Sequence, residues 1–170
     1  MTRTTFNPRR AFTLFELVLV MLVLSVVMAL VAPKLAGTAS GRRTGDSATQ
    51  IVSLAYYARN MAVTDGRTYR LNLMPNDGAF WITVQDGPNF VDPANGWGSV
   101  NHVADGVRIA ETDFPQHQDG IYVEFRPSGR VDPGYVRLVD DENRSTEIAC
   151  ESATELYRIL AKGEPSARRP

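Results

Sequence analysis

Apolar and polar positions divide the chain into stretches of different period. From Phe12 to Ala32 almost every side chain is apolar, and Glu16 is the single charge. As a helix, at about 1.5 Å per residue, this stretch is about 31 Å long, the thickness of a bilayer's hydrocarbon core. It therefore predicts a transmembrane helix over 12–32. Pro33 follows, and Gly37, Gly41 and Gly45 recur at intervals of four beside Lys34, Arg42 and Arg43. Interior Pro and Gly cost a helix about 3 and 1 kcal/mol each, so 33–46 reads as a hinge rather than as a close-packing glycine seam.

Helical periodicity resumes near Ser47. Ile51, Leu54, Ala55, Ala58, Met61 and Ala62 share one face, which predicts an amphipathic helix over 47–65 packed on a sheet. Asp46 or Ser47 can cap its start and Asp65-Gly66 its end. After Gly66 the period changes to two. Tyr69, Leu71 and Leu73 alternate with polar neighbours, and Pro75-Asn76-Asp77-Gly78 turns the chain into Phe80–Val84, a hairpin. No periodic element fits the Gly, Pro and Asn-rich stretch 86–99. Short strands are expected at 107–111, 121–126, 135–139, 146–150 and 156–160, with turns at 126–130 and 140–144. One long helix followed by short antiparallel strands predicts an α+β fold, a β-rich head over 66–162 with a flexible tail at 163–170.

Composition changes this picture little. The 170 residues leave room for one domain and an anchor, and 18 basic against 19 acidic residues give a net charge of −1, so bulk attraction to nucleic acid is not expected. The one cysteine, Cys150, excludes an internal disulfide and reads as a small core residue rather than a reactive thiol. The two histidines, His102 and His117, lie in loop-like sequence. Asp113, His117 and Asp119 come close together in the chain, but their mixed spacing fits a solvated loop better than a metal site. The run 140–143 lacks the spaced ligands and glycine of a calcium loop. No nucleotide-binding loop or serine elbow occurs. Hence no enzyme, metal or cofactor is expected. Trp81 reads as a strand residue and Trp97 as an exposed contact point.

Glu16 is the unexpected feature, because a carboxylate inside a bilayer costs about 2.5–3.5 kcal/mol at the helix centre. A cleaved secretory signal would have a shorter apolar run, and a plain signal anchor leaves the acid unexplained. The segment Ala11-Phe12-Thr13-Leu14-Phe15-Glu16-Leu17, followed by its apolar run and preceded by Arg9 and Arg10, resembles the class III signal of type IV pilins and type II secretion pseudopilins. The signal motif is carried by Phe12, Thr13, Leu14, Glu16 and Leu17. The resemblance implies cleavage by a prepilin peptidase between Ala11 and Phe12, removing leader 1–11, and N-methylation of Phe12. It also implies a subunit-assembly role for Glu16, whose carboxylate would neutralise a neighbour's terminal amine. The alternative is that Glu16 snorkels to the headgroups. Ala11 departs from the glycine usual before the cut.

The stretch 123–138 also resembles the late hairpin of the H-type minor pseudopilins, the GspH/FimT group. Together these imply a pilin-like fold and a minor pseudopilin of a type II secretion system. It would be a single-pass inner-membrane protein with a cytoplasmic N-terminus and a periplasmic head. Its partners would be other pseudopilins, the prepilin peptidase, the inner membrane and secretion-system components. The alternative is a FimT-like minor pilin of a type IV pilus, acting in pilus assembly or DNA uptake. Lys162, Arg168 and Arg169 near the C-terminus suffice for only weak, salt-sensitive DNA contact.

Overall fold

In the computed structural model of the chain the described residues are 13–94, 96–161 and Glu164, with 31–41 described by backbone only. The leader, Ala11, Phe12 and all of the tail but Glu164 lie outside them. The chain divides between Thr38 and Ala39 into two compact units.

A single helix, α1, spans Leu14–Asp65. Its backbone stays helical through 33–46, where the pattern predicts a hinge, although the boundary between the two units falls in the same stretch. Isolated glycines, at about 1 kcal/mol each, are tolerated once a helix is already nucleated on both sides. Packing in the second unit begins before the expected Ser47, since Thr44 is already buried. Ser47 caps no helix start: its hydroxyl accepts the Ala104 N–H at 2.9 Å. From there Ala48, Ile51, Leu54, Ala55, Ala58 and Ala62 are buried on one face, as the periodicity requires. Gly66, at φ 66°, stops the helix in the left-handed conformation that favours glycine.

Among the described residues ten strands follow: β1 (Tyr69–Met74), β2 (Ala79–Asp86), β3 (Asn89–Val91), β4 (Asn101–His102), β5 (Val107–Thr112), β6 (Gln116–His117), β7 (Gly120–Phe125), β8 (Gly134–Asp140), β9 (Ser145–Cys150) and β10 (Arg158–Ile159). They form two antiparallel sheets rather than one. The first runs β3-β2-β1-β7-β6, with β4 also pairing β2; the second runs β10-β9-β8-β5. The predicted β1–β2 hairpin is present, with Leu71 opposite Ile82 and Leu73 opposite Phe80. Their inner faces bury Tyr69, Leu71, Leu73, Phe80, Ile82 and Val84 in a core shared with α1 and with Ile109, Val136, Leu138 and Ile148 of the second sheet. Each such large apolar side chain contributes about 1.5–3 kcal/mol on burial.

Three expectations need correction. The stretch 123–138 is a hairpin only across 124–132, because β7 belongs to the first sheet and β8 to the second. Pairing after β7 extends only through Phe125–Val131 and an Asp132 N–H bond to the Glu124 carbonyl at 3.1 Å. Pro133 then has no N–H to donate, and the ladder ends where the chain crosses between sheets. Gly134 sits at that crossing because a β-carbon there would lie 2.2 Å from the Phe114 ring. The stretch 86–99 is not wholly irregular, since β3 pairs Phe90 with Gln85. Finally, the strand expected at 156–160 shrinks to two residues, but the Leu160 N–H reaches the Glu147 carbonyl at 2.8 Å. That bond seats Leu160 on Tyr135 and Ala149, a small cluster separate from the main core.

Candidate assembly segment

The sequence places its most specific motif at the start of α1. Thr13 immediately precedes the helix, and its hydroxyl accepts the Glu16 N–H at 3.2 Å. Thr13-Leu14-Phe15-Glu16 has the spacing of a capping box, in which a threonine satisfies one of the four orphan N–H groups of a helix start. Glu16 lies in the first turn, where a carboxylate complements the positive end of the helix macrodipole. The acid thus has a local reason for its place, one the T-x-x-E spacing signals and the sequence reading did not use.

The side chains that follow are apolar on every face, and all of those described from Leu14 to Leu30 are exposed. Leu14 is 80% exposed and even the most covered of the large ones, Val20, is 45% exposed. A helix hydrophobic all round needs surroundings of its own polarity, and an exposed apolar surface of this extent marks an interaction site. The one hydroxyl within it, Ser25, is satisfied inside the helix by the Met21 carbonyl at 2.8 Å. Among the described residues no helix is long and apolar enough to cross a membrane; Phe12, Val31 and Ala32 of the expected span fall outside the described side chains.

The head separates the residues that looked like a cation site. Asp113 accepts the Tyr135 N–H at 2.6 Å, His117 stacks on Tyr122 at 4.4 Å, and Asp119 pairs with Arg70 at 3.8 Å. Arg70 itself lies over both the Phe90 and Tyr122 rings, at 3.5 and 3.9 Å, and pairs with Glu124 at 3.1 Å. Among the described residues no group of His, Cys, Asp and Glu is arranged to hold a metal. The acidic run at 140–143 forms the β8–β9 turn. Burial alone would raise the Asp140 carboxyl, but it is outweighed by N–H bonds from Arg144 and Glu142 and by the Arg144 guanidinium, which hold it below the usual carboxylate range. Cys150 is buried, and its sulfur lies 3.1 Å from the Ser152 carbonyl. Burial, and then a hydrogen bond to Asp65, push the Tyr69 hydroxyl up to about 12. Trp97 stacks on Tyr57 of α1, with centroids 4.5 Å apart, and remains 49% exposed.

Comparison with known proteins agrees with this architecture. The chain matches no curated protein sequence. Among solved structures it is similar to the minor pseudopilin EpsH of the Type 2 Secretion System of Vibrio cholerae, with a TM-score of 0.60 and 13% identity over 72% of this chain and 99% of that one. It is also similar to E. coli GspH, with a TM-score of 0.56 and 16% identity over 73% and 93%. The Pseudomonas aeruginosa type IV minor pilin FimU aligns with a TM-score of 0.52 and 14% identity over 76% and 93%. At these identities the likeness establishes the fold, which is pilin-like. Residues 6–32 match the prokaryotic N-terminal methylation motif. Residues 47–154, well over half of the sequence, match the family described as Type II transport protein GspH, and the chain belongs to that family.

Proposed function

We propose that the protein is a minor pseudopilin of a type II secretion system, acting by assembly into the periplasmic pseudopilus rather than by catalysis. The observation that carries this reading is the GspH family match over the head, joined in one chain to the N-terminal methylation motif. In this reading a prepilin peptidase cuts between Ala11 and Phe12, Phe12 is N-methylated, and the apolar part of α1 anchors the subunit in the inner membrane with its head in the periplasm. Glu16 meets the terminal amine of a neighbouring subunit. Opposite charges attract strongly where water is scarce and are costly there when alone, so the pair sets the register between subunits. The capping geometry at Thr13 supports this role, because it starts the helix where the carboxylate emerges beside the new N-terminus.

The second reading, a minor pilin of a type IV pilus, uses the same fold and the same N-terminal chemistry. Deleting the protein from its host separates the two: export of the secretion system's cargo should stop while DNA uptake continues. Lost DNA uptake with intact export would overturn the secretion reading. Mass spectrometry of the membrane-extracted protein should find a mature chain that begins with methylated Phe12; any other N-terminus removes the cleavage and methylation assignment.

A further inference from the structure

A cleft of about 260 Å³ opens between the exposed face of α1 and the loop carrying Trp97. It is distinct from the apolar segment at the N-terminus, and every residue around it belongs to the second compact unit. Thr49, Gln50 and Ser53 of α1 form one wall, and Trp97, Ser99 and Asn101 form the other. None of these is charged, so the cleft has no ion-pair partner for an anion or a cation. The indole has one face against Tyr57, yet half of its surface is open. Leu54 supplies a further apolar contact.

The hydrogen-bonding groups of the walls are only partly used within the chain. Thr49 donates to the Gly45 carbonyl, Ser99 to the Gly96 carbonyl, and the Asn101 amide to the Ser99 carbonyl. Their oxygens keep lone pairs, including the side-chain carbonyl of Asn101. Among the described residues the side chains of Gln50 and Ser53 have no hydrogen-bond partner. A mainly apolar lining that carries a few amides and hydroxyls beside a half-exposed indole matches a ligand with ring hydroxyls around an apolar C–H face. The size, just under the floor of about 300 Å³ for drug-sized pockets, suits one or two sugar rings. A peptide strand would instead need a sheet edge to pair with, and a helix would need a row of apolar anchors; the cleft walls are a polar helix face and a Gly/Ser loop.

We propose that this cleft is a binding site for a neutral saccharide, with Trp97 stacking on the sugar face and Gln50, Ser53 and Asn101 bonding its hydroxyls. The full-length protein, purified in an amine-oxide detergent free of sugar headgroups, should be titrated with maltose and with N,N′-diacetylchitobiose and followed by saturation-transfer NMR. Saturable transfer to at least one of them with a millimolar Kd is expected. Gln50→Ala should weaken it about 2–10-fold, the loss of one or two modest hydrogen bonds, and Trp97→Ala should abolish it, whereas Trp81→Phe should leave it unchanged. Gln50 is exposed, so its variant tests the site without disturbing the fold. No saturable transfer to either sugar, or transfer equal in wild type, Gln50→Ala and Trp97→Ala, would overturn the assignment.

Discussion

Single side chains of the head earn their positions by hydrogen-bonding backbone that would otherwise be stranded. Asp140 closes the β8–β9 turn around Asn143, which takes φ 60°, by accepting the N–H groups of Glu142 and Arg144. Because its carboxyl lies below the ordinary value in the folded chain, its stabilisation is fully present above about pH 4, the unfolded value. It is lost as pH falls through the lower folded value. Asp140→Asn should therefore lower the melting temperature at pH 7 and flatten its fall on acidification. Superimposable acid limbs for wild type and variant would show that Asp140 contributes nothing. Of the chemistry-bearing residues, Cys150 is where composition put it, in the core. The partners of Asp113, His117 and Asp119 could not be read, since Tyr135, Tyr122 and Arg70 reach them only through folding.

The elements are joined by a few such side chains acting over long distances in sequence. Arg59 projects from α1 to the turn after β7, where its guanidinium donates to the Gly129 carbonyl at 2.8 Å and to the Thr154 carbonyl at 3.1 Å. It thereby ties the helix to the crossing between the two sheets. Within that crossing Arg126 is held by Asp132 and Glu124, the first contact raising its already high pKa the most. Arg59→Met keeps the aliphatic stem but leaves both carbonyls without a donor. It should cost about 1–3 kcal/mol and speed hydrogen exchange at the Gly129 and Val131 amides; unchanged exchange there would mean that the turn holds its own shape. Periods were legible for the part of α1 after Ser47 and for β1, β2, β5, β7, β8 and β9. The two-residue strands β4, β6 and β10 are too short to show a period, and β3 lies in a run of turn-forming residues.

Over the whole protein, the proposed function gives the apolar start of α1 to anchoring and the packed head to recognition. Glu16 is the charged group in that apolar start, so Glu16→Gln should leave membrane insertion intact while sharply reducing incorporation into the filament. Normal incorporation of that variant would remove its role in subunit register. The Trp97 cleft lies on the head, and its uncharged lining mixes hydroxyls and amides with apolar surface. Local pattern sufficed for the N-terminal methylation motif, the buried face of α1 and the alternation of the long strands. All of these are spacings within one stretch of chain, set by residues per turn and by the two-residue pleat. The partition into two sheets, the crossing at Pro133, the reach of Arg59 and the meeting of Gln50 with Trp97 across a cleft were decided only by tertiary structure. Each joins residues far apart in sequence, and their pairing depends on which surfaces fold against each other, which no local period encodes.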